Sequence, residues 1–253
     1  MKLIRMIAKI NGIDSFHLTT NGVLTNKYIP ELKSLGITSV NLSLDTLDPE
    51  RFKQITFRDE FAKVQNTLES LLKHDIPTKI NTVVMDGKNI DDIIPLVELT
   101  RTQPVSVRFI EEMPFNGEGN HYPILKWTYK KILEYIKSHY PELQKTHDPD
   151  HATSTGYQIP GFVGDIGIIA AYSRTFCGTC NRIRITANGT LKTCLYDSGV
   201  LNVRDIIRAE TSDNGLKQKL LAAFNNRPKD GFEAEQHRIN HSPVTESMST
   251  IGG

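Results

Sequence analysis

Cysteine is scarce in this sequence, and the only three, Cys177, Cys180 and Cys194, fall in one stretch. An odd, clustered set excludes the disulfide framework of a small secreted domain and leaves metal, redox chemistry or chance. A charge of one sign is also missing, the formal net charge being +1. A duplex-wide nucleic-acid surface needs a strong basic excess, so no nucleic-acid partner is expected, while a local basic pocket for a small anion is still allowed. No apolar run approaches the roughly 18–20 residues of a membrane span, which removes the membrane as a partner. Met1–Ile10 carries Lys2, Arg5 and Lys9 on an apolar background and has neither a signal-peptide core nor a small-residue cleavage site. The expected location is therefore cytoplasmic. No repeat of fixed period and no low-complexity tract is found. What is present is a globular composition, 38% hydrophobic and 23% charged, on a chain long enough to bury roughly 70–75% of its unfolded surface.

Residues 1–100 repeat one pattern of helix, short polar turn and short β-rich run. Met1–Ile10 reads as a helix and Ser15–Thr20 as a strand ending in Asn21-Gly22. Tyr28–Leu35 is amphipathic and leads through Gly36 into a strand at Ser39–Leu44. Glu60–His74 carries Phe61, Val64, Leu68, Leu71 and Leu72 on one helical stripe. Thr78–Met85 and Val105–Ile110 read as strands around a helix at Ile90–Thr100. Such alternation means βαβ units and a parallel sheet, either open or closed into a barrel. Several strand ends carry small or polar residues: Thr19-Thr20, Ser43-Leu44-Asp45 and Glu111-Glu112-Met113. In a (β/α) barrel these ends build the active site.

From Met113 the pattern weakens. Pro114–Pro123 reads as loop, Lys126–Tyr140 as a helix and Gln144–Gly164 as polar and turn-rich. Ile166–Ala171, Ile183–Thr186 and Leu191–Leu195 read as strands of an antiparallel meander. Asn188-Gly189 signals a type I′ hairpin turn, whose two central residues both need φ > 0. Asp205–Arg208 and Gly215–Phe224 read as helices, and the stretch from Asn225 as poorly packed apart from its very end.

The strongest constellation is Cys177-Gly178-Thr179-Cys180, with Cys194 returned toward it across the hairpin. Three thiolates can hold one metal centre. A structural zinc site wants four ligands, which His147 or His151 could complete. A [4Fe–4S] cluster held by three thiolates keeps one iron open to a substrate, four being its usual complement. A bare C-x-x-C redox pair is the third reading. Arg182 and Arg184, two apart in a strand, project to one side next to the cysteines, and paired guanidiniums match phosphate oxyanions. Lys79 lies between hydrophobic strand positions and either faces a cavity or snorkels outward. The terminal Gly252-Gly253 can thread a narrow channel, having no side chains, or simply fray.

Phe176-Cys177-Gly178-Thr179-Cys180-Asn181-Arg182-Ile183-Arg184, followed by Gly189 and Cys194-Leu195, resembles the C-terminal cluster motif of the GTP 3′,8-cyclase family of radical S-adenosylmethionine enzymes. Leu18-Thr19-Thr20-Asn21-Gly22, Asn41–Asp45, Lys79-Ile80-Asn81, Arg108–Met113 and the terminal Gly-Gly fall in that family's order, so the resemblance runs from about His17 to the end. It implies an incomplete (β/α) TIM-type barrel, here N-terminally truncated, with a C-terminal α+β iron–sulfur domain. Residues 1–113 would be the partial barrel, and 114–253 the cluster and GTP-binding domain with the Gly-Gly tail.

It also implies radical cyclisation of GTP to 3′,8-cyclo-7,8-dihydro-GTP, a lyase reaction. One [4Fe–4S] cluster cleaves S-adenosylmethionine, a second binds the guanine, and cyclic pyranopterin monophosphate synthase consumes the product. By the same resemblance, Cys177, Cys180 and Cys194 hold the substrate-side cluster. Thr19, Lys79, Arg182 and Arg184 contact GTP, Ser43 and Met113 contact S-adenosylmethionine, and Gly252 and Gly253 form an activating tail. The resemblance leaves open whether the chain pairs into a homodimer. The family's N-terminal C-x-x-x-C-x-x-C motif and its glycine-rich strand end are missing. The expectation is that Met1 is an internal methionine of a longer enzyme and that this fragment is inactive alone. The alternative is a shortened protein that binds GTP on an iron–sulfur cluster without turning it over.

Overall fold

The computed structural model describes residues 1–113, 125–209 and 212–237. They fall into two compact units that interleave along the chain instead of meeting at one cut. The first comprises Met1–Glu112, Leu125–Asp148 and Ser154–Ala170, and the second takes the remainder.

In the first unit, α1 (Lys2–Ile7) precedes β1 (His17–Thr20), α2 (Ile29–Ser34), β2 (Ser39–Ser43), α3 (Pro49–Thr56), α4 (Phe61–Lys73), β3 (Thr78–Val84), α5 (Ile93–Thr102) and β4 (Val105–Glu111). Then come α6 (Tyr129–His139), β5 (Gln144–Lys145), β6 (Thr155–Gln158) and β7 (Asp165–Ile169). The strands form one seven-stranded sheet in the order β1-β2-β3-β4-β7-β6-β5. The first five in that order are parallel, and β6 and β5 close the far edge antiparallel. The described strands show no closure, and the parallel part of the sheet is consistent with a partial (β/α) barrel. The expectation for Ile166–Ala171 is corrected here. Its strand pairs parallel with β4, Val107 opposite Ile166, and so belongs to the first sheet. β5 and β6 lie in the segment read as turns, and α3 in a segment given no element.

Local chemistry explains the helices. α3 starts because the Asp48 carboxylate accepts the Arg51 N–H at 2.7 Å and Pro49 supplies a helical φ at N1. It stops where Phe57 enters the left-handed region. α4 buries Val64, Leu68 and Leu71 along its stripe. The helices cover one face of the sheet, where Val40, Leu42, Ile80, Val107 and Phe109 are buried completely. Each such side chain contributes roughly 1.5–3 kcal/mol.

One half-buried acid costs stability instead. Asp45, just beyond β2, accepts the Val83 N–H at 2.8 Å, yet its burial, with Asp92 as a minor contributor, pushes its carboxyl up to about 6. A carboxyl raised in the folded state stabilises fully below its unfolded value near 3.8, and that contribution is lost as pH rises through about 6. Asp45→Asn is expected to be more stable than the parent at pH 7.5 by about 2 kcal/mol, and no more stable at pH 4. Guanidinium unfolding at both pH values checks this; identical pH dependence in the two proteins contradicts it.

In the second unit, β8 (Arg184–Ile185), β9 (Thr190–Lys192) and β10 (Leu201–Asn202) form a three-stranded antiparallel sheet, followed by α7 (Val203–Arg208), α8 (Asp213–Asn225) and α9 (Gly231–Gln236). The β8–β9 turn differs from the type I′ expectation. Gly189 lies at φ 85° and donates its N–H to Thr186 O at 2.8 Å, and Asn188 is not at positive φ. This is the longer hairpin loop closed by a left-handed glycine. The stretch after Asn225 is packed as far as 237: Asp230 caps α9, and Gly231 and Ala234 are buried.

Candidate functional site

The two faces of the parallel sheet differ sharply. β3 alternates strictly, with Thr78, Ile80, Thr82 and Val84 buried toward the helices and Lys79 and Asn81 on the other face. Register places Thr19 beside Asn41, Asn41 beside Lys79, and Lys79 beside Ser106. A parallel sheet is ordinarily apolar on both faces. Here the second face carries His17, Thr19, Asn41, Ser43, Lys79, Asn81 and Arg108, which suits a polar ligand.

Its electrostatics are cationic. Burial, then the charges of Lys79 and Arg108, holds the His17 imidazole below its usual range. Burial and the Arg108 charge lower Lys79 too, with Asp165 opposing. Ser106 donates to Asp165 at 2.6 Å, and His17 Nδ1 lies 2.7 Å from Ser39 Oγ. Gly167 stands opposite Arg108, and a Cβ there would come within 3.3 Å of the Arg108 stem. Asn41 donates to Thr19 Oγ1 at 3.2 Å, but its own carbonyl oxygen and that of Asn81 are buried without a partner. Two orphaned acceptors beside a row of cations fit a ligand with hydroxyl or amino donors and a phosphate tail. Thr19, Ser43 and Lys79, expected from the resemblance as ligand contacts, lie on this face, and His17, Asn41 and Asn81, to which no role was assigned, lie there with them. The signal was the even spacing His17–Thr19 and Lys79–Asn81, which puts both members on one face.

The second unit holds the cysteines. A short 3-10 turn, Cys177–Thr179, brings the first pair round, the Cys180 N–H donating to Cys177 O at 3.2 Å. All three cysteines are free and half-buried. Burial pushes the Cys177 and Cys194 thiols up, while the Gly231 N–H acts on the Cys177 sulfur and the Tyr196 N–H on the Cys194 sulfur in the opposite sense. Cys194 feels both Cys177 and Cys180. Asp197 secures its turn, accepting the N–H groups of Thr193 and Cys194 at 2.8 Å each.

Arg184 is half-buried. Burial and the neighbouring Arg182 charge lower its guanidinium, and Cys180, Cys194 and Asp197 oppose them. Arg182 donates to Thr153 Oγ1 at 3.2 Å, and Arg227 to Cys180 O. The three thiols and two guanidiniums therefore share one neighbourhood. Met113 packs with Tyr196, Cys194 and Leu195 in the same unit.

Among the described residues no three His, Cys, Asp or Glu side chains gather closely enough to enclose a single metal ion. His151 Nδ1 lies 2.7 Å from the Thr179 carbonyl, its natural acceptor. In a cluster each thiolate binds a different iron, so the sulfurs need not converge on one point. Soft donors backed by N–H groups fit an iron–sulfur centre. Gly252 and Gly253 lie outside the described residues. No described helix is long and apolar enough to cross a membrane.

Family models match in two blocks: the radical SAM superfamily over residues 1–100 and Molybdenum Cofactor Synthesis C over residues 105–233. The chain is 37% identical over 255 residues to the GTP 3′,8-cyclase of Chlorobaculum tepidum, covering 100% of this chain and 75% of that protein. The GTP 3′,8-cyclase of Syntrophomonas wolfei is 37% identical over 262 residues, with 77% of that protein covered. Human molybdenum cofactor biosynthesis protein 1 is 36% identical over 234 residues, but the chain spans only 36% of its length. Among solved structures, Streptococcus suis SuiB bound to S-adenosylmethionine matches 84% of this chain and 48% of its own, at 14% identity and a TM-score of 0.48. The chain belongs to the GTP 3′,8-cyclase family of molybdenum cofactor biosynthesis, within the radical SAM superfamily.

Proposed function

We propose that this chain carries the substrate side of GTP 3′,8-cyclase, the lyase that cyclises GTP to 3′,8-cyclo-7,8-dihydro-GTP. What supports this reading is the shared neighbourhood of Arg184, Arg182, Cys180 and Cys194, half-buried guanidiniums and thiols whose charges act on Arg184. Bound there, a [4Fe–4S] cluster supplies an iron open to a purine nitrogen or oxygen.

The chain's own residues do the rest. Arg182 and Arg184 bind and orient the nucleotide. Lys79 on the sheet face, with Thr19 beside Asn41, takes the phosphate end. Ser43 and Met113 are the proposed contacts to S-adenosylmethionine, and on the sheet face the orphaned amide oxygens of Asn41 and Asn81 suit a ligand's hydroxyl and amino donors. The two glycines of the tail belong to the same reading, as does the product's onward passage to cyclic pyranopterin monophosphate synthase.

These 253 residues supply thiolates for one cluster only. That favours a second reading of the isolated chain, as a protein that binds GTP on its cluster without generating the radical.

Calorimetric titration of GTP into the anaerobically reconstituted chain tests the assignment. Lys79→Met is expected to weaken GTP by about tenfold or more and to leave guanosine unchanged, since the lysine meets only phosphate. Equal losses for GTP and guanosine, or no loss, would contradict the phosphate role.

A further inference from the structure

Arg174 is in the left-handed backbone region, φ 55°, and is only 8% exposed. A non-glycine residue there is strained, and a buried guanidinium is costly; both persist only where the surroundings over-determine them. Here they do. The guanidinium lies 3.6 Å from the centre of the Tyr196 ring and 4.4 Å from that of Phe232. It pairs with Glu235 at 2.9 Å, while its Nε is buried with no acceptor, so the positive charge is only partly compensated. Its carbonyl accepts the Cys177 N–H at 3.2 Å, which ties it to the start of the cysteine turn. Gly231 must be glycine for this packing, because a Cβ would come within 2.9 Å of Tyr196 Cδ2 and 3.1 Å of Arg174 Cδ.

The partners of Arg174 are therefore the residues that serve the sulfurs. Tyr196 gives its N–H to Cys194, and Gly231, at the head of the helix bearing Phe232 and Glu235, gives its N–H to Cys177. One side chain fastens both donors and adds a positive charge beside them. We propose that Arg174 is a positioning residue of the cysteine site, and that its buried charge and the donors it holds raise the reduction potential of the cluster bound by Cys177, Cys180 and Cys194. This rests on the reading of those cysteines as cluster ligands. Hydrogen bonds to the sulfurs and nearby charge are the ordinary levers on such a potential. An added positive charge stabilises the more negative reduced state.

The test is a potentiometric titration of the full chain after anaerobic reconstitution, with iron counted in every sample. Arg174→Met keeps the buried stem without the charge and is expected to lower the midpoint potential, with Arg174→Lys restoring part of the shift. Glu235→Gln removes the compensating negative charge from a partly exposed position and is expected to raise it. A merely structural role would not move the two variants in opposite directions. Should Arg174→Met fail to fold, the sign of the Glu235→Gln shift still decides. Iron-loaded variants at the wild-type potential, or Glu235→Gln shifted downward, would overturn the proposal alone. A wild-type chain that takes up no iron would overturn the cluster reading and the proposal with it.

Discussion

Replacing Cys194 by alanine is expected to take reconstituted iron from about four per chain to a small fraction of that, and to abolish GTP binding at the cysteine site. The chain has no spare thiol. Cys177 and Cys180 share one short turn, and only Cys194 comes from elsewhere, so two ligands three residues apart would remain. Its position is also the most firmly built. Asp197 fixes the backbone on both sides of the Thr193–Cys194 peptide, and the Tyr196 N–H serves the sulfur. The loss should be functional, not structural. The Cys194 side chain is only half-buried, so its removal costs a methylene's worth of packing, about 1 kcal/mol. Thermal unfolding of the metal-free protein lowered by no more than about 4 °C, alongside lost iron and lost GTP binding, is the expected combination. Full iron in the alanine variant would assign the metal to other ligands.

The second large effect concerns the frame. Gly164, just before β7, donates its N–H to Thr100 O at 2.8 Å, and a Cβ there would lie 2.2 Å from Val105 O and 2.7 Å from Gln103 O. Both are backbone atoms, one at the end of α5 and one at the start of β4, and cannot rotate away. Gly164→Ala must therefore push β7 off the strand that bears Arg108. The expected cost is about 3 kcal/mol, at the upper end for overpacking, or on the order of 10 °C in Tm. Gly178→Ala is the control, because a Cβ there meets nothing within 4 Å. Equal melting temperatures for the two variants would show that β7 is not held as closely as described.

The parallel strands were legible because β2, β3 and β4 are short β-rich runs that alternate with well-marked helices, the pattern of βαβ units, even though polar residues interrupt their apolar ones. Their order along the chain matched their order in the sheet. β7 was misread for a physical reason: Ile166–Ile169 has the same local character in either direction, and only the crossover through α6 and the β5–β6 ladder decides. β5 has two residues, too few for any periodicity. α3 was missed although Asp48-Pro49 is a sound start signal, because Arg51, Lys53 and Gln54 hide its one buried side chain, Phe52.

At the candidate site, the cysteine spacing and the Arg182–Arg184 pair were plain, since neighbours in sequence remain neighbours in a short turn and strand. Arg174 was not. Its role comes from Tyr196, Phe232 and Glu235, which lie 22 to 61 positions away, and nothing in a lone arginine beside a serine announces burial.

In the proposed function, the cysteine site holds both a cluster and GTP. This is tested most directly by adding GTP to the reconstituted, reduced chain and following the cluster's paramagnetic resonance spectrum. The expected result is a new spectrum that saturates at one GTP per chain, is not produced by ATP, and is lost in Cys194→Ala. A spectrum that ignores GTP while calorimetry shows GTP bound would place nucleotide and cluster apart, and would contradict the account.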